Sequence, residues 1–370
     1  MTKKVLFLLH GGTISQLEHQ DENGHKYLIP AKDPDLFTAA CAGILSRFSG
    51  DLEITTEFVT TKDSSNMVPS DWTHLALRIK KAQNEELYDG VVVTHGTDTL
   101  AYTAAALALA LHGSNPNGSS LRIPVCITGS QKSIYAQATD AYHNLYYAFK
   151  TIAHACEEGI ADVLVNFDKE VMLGARVIKI SEMDYTAFAS PNYPNIGQIK
   201  QQKLFISKSL VNTKDRFLPT SNDQVNFDDR ILSIDLTPGL NPEVIEAVLE
   251  TDLVKALIIR TYAAGNLPSE RKNNLIPIVK LAQTKNIPVF LTSKVAAANA
   301  SGAEYEPGMK ALHAGAIPCF DQTEAVVSVK IAWLIGNNLC KSVADFNEAM
   351  RTNYVGELTT ASQDEFEQFN

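Results

Sequence analysis

The sequence predicts an α/β protein of two domains, each a mainly parallel sheet between helices, with the larger domain at the N-terminus. Short apolar runs such as Val91-Val92-Val93 are typical of strands buried on both faces of a sheet. These runs alternate with longer segments that favour helices, and this alternation is characteristic of parallel sheets. The chain has 370 residues, which is more than one typical hydrophobic core accommodates.

The N-terminal domain is predicted to span residues 1–206. Its predicted strands are 5–9, 53–60, 91–94, 124–128 and 163–167, with an extended, hairpin-like segment at 171–180. Its predicted helices are 35–48, 71–86, 98–112 and 139–158. Residues 15–26 are polar and lack apolar periodicity, so we expect a mobile loop beside the end of the first strand.

Residues 207–229 are polar and carry a proline and several acidic residues, which predicts a linker. A smaller C-terminal α/β domain, residues 230–370, follows it. The predicted strands of this domain lie near 231–236, 256–260 and 288–291, and its predicted helices near 242–250, 269–284, 323–335 and 343–351.

Composition argues against several classes of partner and location. The formal net charge is −10 and no Lys/Arg run occurs, so we expect neither nucleic acid nor an anionic membrane surface as a partner. No apolar stretch is long enough to span a membrane, and the N-terminal apolar run is too short for a signal peptide. The five cysteines are odd in number and form no CxxC pair. We therefore predict a cytoplasmic, reducing location with no disulfide framework and no metal site.

Two predicted strands end in turns that carry threonines. Thr13 follows Gly11-Gly12 at the end of the first strand, and Thr97 and Asp98 follow strand 91–94. Ligands of open α/β sheets bind at the carboxyl ends of strands, where such turns lie. The alternative is that Thr97 or Asp98 only caps the following helix. Neither turn has the glycine spacing of a dinucleotide-binding fingerprint or the lysine of a P-loop.

Three other segments carry candidate site residues. Asp63-Ser64-Ser65 lies between a predicted strand and a predicted helix, where it forms either a polar cradle for a ligand or an ordinary turn. Lys179 stands among apolar residues, where an amine can act as a base, although a lysine at a sheet edge usually only deters aggregation. Tyr27 ends the polar 15–26 stretch and either approaches the site or anchors the base of the loop.

The motifs resemble a known family. Gly11-Gly12-Thr13-Ile14 and His95-Gly96-Thr97-Asp98-Thr99 are similar to the two signatures of the L-asparaginase family, and Asp63-Ser64-Ser65 matches a third segment. Lys179, followed by the run from Ala187 to Asn192, resembles the bacterial type I, cytoplasmic members. The resemblance implies hydrolysis of L-asparagine to L-aspartate and ammonia with a threonine nucleophile and no cofactor. It also implies a homo-oligomer, either a dimer or a tetramer.

The resemblance also implies roles for individual residues. Thr13 matches the nucleophile, helped by Tyr27, while Thr97 matches a second threonine that is linked to Asp98 and Lys179. Which threonine carries each covalent step stays open. The substrate's α-ammonium would lie at Asp98 and its α-carboxylate at Ser64, within a binding set that comprises Asp63, Ser64, Ser65, Thr97 and Asp98.

Arg260 lies in a second-domain segment that also resembles the type I enzymes. In some members of the family the matching arginine lines an effector pocket. The alternative, an arginine that satisfies local carbonyl groups, is equally compatible with the sequence.

Two other functions remain open at this point. The first is the asparaginase-like subunit of a tRNA-dependent amidotransferase, for which we would expect an additional N-terminal domain and a basic surface. The second is an amino-acid sensor that has the same fold without catalysis, since a fold does not imply a function.

Overall fold

A computed structural model describes residues 2–31, 33–218 and 223–359 of the chain. It confirms the predicted class, with a larger N-terminal unit built on a mainly parallel sheet and a smaller C-terminal unit built on a parallel one. The first unit comprises Met1–Ser190 with Pro194–Val225, and the second comprises Pro191–Tyr193 with Asn226–Asn370. Within the predicted linker, residues 219–222 lie outside the described residues.

Among the residues that the structure describes, twelve strands belong to the first unit. In chain order they are β1 (Lys3–His10), β2 (Leu17–Gln20), β3 (Lys26–Ile29), β4 (Leu52–Thr60), β5 (Gly90–Thr94), β6 (Val125–Thr128), β7 (Val163–Phe167), β8 (Glu170–Leu173), β9 (Ile178–Lys179), β10 (Phe188–Ala189), β11 (Gly197–Lys200) and β12 (Lys203–Ile206). Eight of them form one sheet in the order β12-β11-β8-β7-β6-β5-β1-β4. The pairs from β4 to β7 are parallel, and the pairs from β7 to β12 are antiparallel.

The helices of this unit are α1 (Pro34–Leu45), α2 (Pro69–Asn84), α3 (Leu100–His112) and α4 (Ala141–Glu158). Nearly every residue of α3 is buried, because its run of Ala and Leu presents an apolar surface on all sides. One core cluster joins β1, α1 and α4, and the Phe7 and Phe149 rings meet edge to face within it, 5.1 Å apart.

Strand order determines where a ligand would bind in this unit. Within the parallel part, β1 lies between β4, the next strand of this sheet along the chain, and β5, the one after that. The chain therefore proceeds to opposite sides of β1, and the carboxyl ends of β1 and β5 flank the switch point at which open α/β sheets bind ligands. Thr13 follows β1 and Thr97 follows β5, so both candidate threonines belong to this crevice.

The prediction of a loop over residues 15–26 is wrong in part. Residues 17–20 and 26–29 form the antiparallel hairpin β2–β3, which is stabilised by a 2.7 Å ion pair between Glu18 and Lys26. Both faces of this hairpin are largely exposed, so its sequence carries no apolar periodicity by which it could be recognised.

The second unit has strands β13 (Ile231–Asp235), β14 (Ala256–Thr261), β15 (Val289–Ser293) and β16 (Ile317–Pro318), all parallel and in sequential order. Its helices are α5 (Pro242–Leu249), α6 (Ile276–Thr284), α7 (Glu306–His313), α8 (Glu324–Gly336) and α9 (Val343–Arg351). The sequence did not predict α7 or β16, which are short. The predicted start of α6, near residue 269, is too early. Arg271 has a φ of 57°, which a helix cannot contain. No helix within the described residues combines the length and the apolarity needed to cross a bilayer.

Candidate active site

The turn after β1 lies directly against the turn after β5. Gly12 has a φ of 88°, and a Cβ atom added to it would lie 2.3 Å from the backbone nitrogen of Gly96. A side chain there would push the two turns apart, so glycine is required at this point. Thr13 comes next, at the start of a short 3-10 helix, Thr13–Ser15. The close approach at Gly12 therefore brings the two threonine-bearing turns together.

The segment that carries Asp63 packs against the turn after β5. A Cβ atom on Gly96 would lie 2.4 Å from Ser64 Oγ, and Thr99 Oγ1 donates a 2.9 Å hydrogen bond to the Ser64 carbonyl. Ser64 is buried, whereas the neighbouring Ser65 is exposed. Three turns that are far apart in the chain thus converge on the switch point of the sheet.

Thr97 and Asp98 do not cap the helix that follows them. Helix α3 begins at Leu100 with Thr99 in the N-cap position, and no side chain makes the capping hydrogen bond. Thr97 is buried and Asp98 is exposed. Both side chains are therefore available for another partner.

That partner is Lys179, which lies on the hairpin formed by β9 and β10. Its Nζ donates a 2.9 Å hydrogen bond to Thr97 Oγ1 and a 2.8 Å hydrogen bond to Asp98 Oδ1. The lysine side chain is only 14% exposed, so it is not a solvated charge at a sheet edge. The structure thus brings together the three side chains Thr97, Asp98 and Lys179 that the sequence selected.

Lys179 has a third partner that sequence reasoning missed. Glu182 Oε1 lies 2.8 Å from Nζ, three residues further along the same hairpin. Lys179 Nζ thus lies within hydrogen-bonding distance of one hydroxyl oxygen and two carboxylate oxygens, an arrangement that suits an ammonium group. The apolar surroundings that we expected for Lys179 are therefore replaced by two carboxylates. A carboxylate three residues after the lysine was the signal that could have revealed this.

Asp63 holds the third turn in place. Its Oδ1 accepts hydrogen bonds from the Ser65 backbone N–H at 2.9 Å and from Ser65 Oγ at 2.7 Å. Its Oδ2 accepts a 3.0 Å bond from Gln16 Nε2, a buried residue that the sequence did not select. The Ser65 N–H bond is the main cause that lowers the pKa of the Asp63 carboxyl group. Asp63 is therefore ionised at neutral pH and orients Ser65.

Tyr27 and Arg260 stand outside this hydrogen-bonded group. Tyr27 is 49% exposed on β3, and its ring lies 5.1 Å from that of His19. Arg260 belongs to the second unit, where its guanidinium pairs with Asp235 at 3.0 Å and with Glu324 at 2.9 Å. Burial raises the pKa of Glu324. Arg260 thus contacts carboxylates, not the carbonyl groups that the sequence alternative suggested.

A second grouping of catalytic residue types lies elsewhere in the first unit. Ser119 Oγ is 2.7 Å from His112 Nδ1, and His112 Nε2 is 3.2 Å from Asp162 Oδ1. All three residues are buried, and Ser119 Oγ also accepts the backbone N–H of Leu121. Asp162 directly precedes β7, at the amino end of the sheet and thus opposite the threonine turns. This set anchors a loop and offers a substrate no exposed nucleophile.

Two stacked histidines lie directly behind the glycine turns. The rings of His10 and His95 are 5.1 Å apart and inclined by only 10°. Burial lowers the pKa of His10 to about 4 and that of His95 to about 3. Both rings are therefore neutral at neutral pH.

These histidines should make folding sensitive to acid. The unfolded chain takes up protons on His10 below pH 6.5, whereas the folded chain does so only near pH 4, so stability falls as the pH drops through that window. The wild type should lose unfolding free energy between pH 7.5 and pH 4.5. We expect this loss to be smaller by about 2–3 kcal/mol in His10→Gln, as urea titrations would measure. The control His74→Gln alters an exposed ring and should keep the wild-type pH dependence. An unchanged pH dependence in His10→Gln would contradict this assignment.

None of the five cysteines is paired in a disulfide. Within the part of the chain that the structure describes, no group of three or more His, Cys, Asp or Glu residues could hold a metal ion.

Comparison with known proteins gives matches over most of the chain. Residues 4–212 match the family model described as "Asparaginase, N-terminal", and residues 230–350 match "Glutaminase/Asparaginase C-terminal domain". An L-asparaginase of Thermococcus kodakarensis is 33% identical over 96% of this chain and 99% of its own length. A subunit of the glutamyl-tRNA(Gln) amidotransferase of Pyrococcus abyssi is 29% identical over 80% of this chain and 65% of its own length. The crystal structure of L-asparaginase I from Vibrio cholerae superposes with a TM-score of 0.80 at 26% identity, covering 97% of this chain and all of that one.

Proposed function

Because this chain belongs to the asparaginase family, we propose that it hydrolyses L-asparagine to L-aspartate and ammonia with a threonine nucleophile. It is an enzyme of the L-asparaginase type, an amidohydrolase that acts on linear amides. The observation that best supports the proposal is the hydrogen-bonded set of Thr97, Asp98 and Lys179 beside the turn that carries Thr13.

In the proposed first step, Thr13 Oγ1 forms a bond to the side-chain amide carbon of asparagine. As this bond forms, the hydroxyl group of Tyr27, which would approach from the hairpin β2–β3, takes up the Thr13 proton and passes its own proton to the amide nitrogen. The C–N bond of the tetrahedral intermediate then breaks, ammonia leaves, and an acyl-enzyme ester remains. Backbone N–H groups of the converging turns are the available donors for the oxyanion.

In the second step, water attacks the ester carbon, one of its protons returns through the Tyr27 hydroxyl to Thr13 Oγ1, and aspartate is released as the ester C–O bond breaks. We assign the orientation of this water to Thr97, whose Oγ1 accepts a hydrogen bond from Lys179. The Lys179 cation, paired with Asp98 and Glu182, polarises the Thr97 hydroxyl group and fixes the direction in which it binds this water. Lys179 therefore acts in this proposal as a fixed cation and not as a neutral base.

The two charged ends of the substrate would bind to groups that face the same crevice. Asp98 Oδ1 is engaged by Lys179, while its exposed carboxylate can accept a further hydrogen bond from the substrate α-ammonium. Ser64, Ser65 and turn N–H groups would hold the α-carboxylate. Asp63 orients Ser65 and thereby keeps this part of the site in place.

Ammonia release from free L-asparagine is the direct test. We expect the purified chain alone to release ammonia from L-asparagine, with L-glutamine as the comparison substrate that measures selectivity for the shorter side chain. No release from either amino acid at millimolar concentration would refute the proposal and would favour a sensor or an incomplete amidotransferase.

The amidotransferase function is a second candidate, supported by the similarity to the Pyrococcus abyssi amidotransferase protein. The chain covers less than two thirds of that protein's length. A chain with this function would hydrolyse glutamine in preference to asparagine and would respond to glutamyl-tRNA and a partner protein. A rate with asparagine that is unchanged by added tRNA would decide for the asparaginase function.

Three finer assignments complete the proposal. We propose the type I, cytoplasmic class, which five unpaired cysteines support. We also propose a homodimer or homotetramer, to be measured by light scattering. For Arg260 we propose an effector role in which a carboxylate ligand displaces Asp235 or Glu324, the two carboxylates that now hold its guanidinium.

A further inference from the structure

A chain of hydrogen bonds leads from a tryptophan to the turn that carries Thr97. Trp72 Nε1 on α2 donates a 3.1 Å bond to Thr103 Oγ1 on α3. Thr103 Oγ1 lies 2.9 Å from His95 Nε2, and His95 Nδ1 lies 2.8 Å from the Gly96 carbonyl oxygen. Both Thr103 and His95 are fully buried. The chain therefore runs through the protein interior and ends at the peptide group that precedes Thr97.

The chemistry of these groups determines the direction of every bond. An indole N–H can only donate, so Thr103 Oγ1 accepts from Trp72 and has one hydroxyl proton to give. The same oxygen has a second lone pair, so the direction of its bond with His95 Nε2 is determined by the other end of the chain. The carbonyl oxygen of Gly96 can only accept, so Nδ1 must carry the proton. In a ring that burial keeps neutral, Nε2 is then unprotonated and accepts the hydroxyl proton of Thr103.

We propose that His95, in its Nδ1–H tautomer, is a positioning residue that orients the Gly96–Thr97 peptide for the reaction. This inference rests on the proposed function of Thr97. Gly96 has no side chain that could hold this peptide in place. The orientation of the peptide plane determines the position of Thr97. A fixed carbonyl thus fixes the Thr97 Oγ1 that Lys179 contacts at 2.9 Å. An error of about 1 Å in such a group can cost a factor of about 10² in rate.

The His10 ring supports this arrangement from the other side. It stacks in parallel on His95 and prevents that ring from tilting out of the plane of its two hydrogen bonds. The backbone N–H of His10 also donates a 3.2 Å bond to Thr94 Oγ1, at the end of the strand that leads into His95. The charged groups that act on the His10 ring are Lys62 and Asp71, which pair with each other and affect the His10 pKa in opposite directions.

The tautomer can be read directly in the unmodified protein. Nitrogen NMR of the full-length chain labelled with ¹⁵N-histidine at pH 7 should show the His95 Nδ1 signal at the protonated position and the Nε2 signal at the unprotonated position. A His95→Asn sample identifies the resonance. A His95 ring that is protonated on Nε2, or on both nitrogens, would overturn the inference whatever the enzymatic activity is.

Two amide variants test the effect on the reaction. His95→Asn keeps an N–H donor near the position of Nδ1, whereas His95→Gln keeps a polar group only near that of Nε2. We expect kcat to fall about 10-fold in His95→Asn and about 100-fold in His95→Gln, with KM changed by less than about threefold. A role in packing alone predicts the opposite order, because Asn leaves the larger cavity.

Equal losses, or a greater loss in His95→Asn, would refute the positioning role. If both variants fail to fold, as circular dichroism would show, the tautomer measurement decides. If the wild-type chain releases no ammonia, the proposed function fails, and the tautomer of His95 is still tested independently.

Discussion

The variant Thr13→Val is expected to lose at least about 10³-fold in kcat while it keeps the wild-type fold. Valine matches the shape of threonine but has no hydroxyl group, and removal of a nucleophile eliminates the covalent route. Thr13 starts the short helix after Gly12 and is only partly buried, so the substitution neither opens a large cavity nor strains the chain. Ammonia release measures kcat, and thermal unfolding measures the integrity of the fold.

Two controls come from the same turn. Thr13→Ser retains a hydroxyl group and should retain measurable turnover. Ser15→Ala removes a hydroxyl that donates a 3.1 Å bond to the Gly12 carbonyl, and it should change kcat by no more than a few-fold. A folded Thr13→Val protein with nearly wild-type turnover would exclude Thr13 as the nucleophile.

Removal of the lysine amine is the second large effect that we expect. Lys179→Met keeps the bulk of the side-chain stem and removes the cation that contacts Thr97 and Asp98. We expect kcat to fall by at least about 100-fold, because a preorganised charge beside a reacting oxygen is worth about 3–4 kcal/mol. The affinity for asparagine, measured by calorimetry on a slowly reacting variant, should change much less.

The double variant of Thr97→Val with Lys179→Met tests whether the two residues act as one unit. Members of one catalytic unit give strongly non-additive losses, so the double variant should be little slower than the slower single variant. Losses that multiply, as they do for independent sites, would remove the proposed coupling and leave Lys179 as a structural charge. Lys150→Met, at a half-buried lysine that contacts the Gln202 carbonyl, is the matched control and should be nearly as active as the wild type.

The sequence by itself determined the class of the fold and the position of the two threonine turns. Apolar runs that are buried on both faces, such as 91–93, can be recognised locally because their burial is continuous along the chain. The turns that follow them necessarily lie at the carboxyl edge of a parallel sheet. Strand order could not be predicted in this way, because no local pattern in the sequence indicates that β1 lies between β4 and β5.

Only the tertiary structure decided the surroundings of the candidate residues. Lys179 is separated by 81 residues from Asp98, and Gln16 by 47 residues from Asp63, so no local pattern connects them. The apolar neighbours of Lys179 along the chain even suggested the wrong environment, because its amine extends away from its own strand toward carboxylates in a turn and a loop. The buried hydrogen bonds that connect His95 with Thr103 and Trp72 likewise join residues on two different helices to the turn. A pattern of residues along the chain predicts local secondary structure. Hydrogen bonds between turns that are distant in sequence depend on the order of the strands in the sheet.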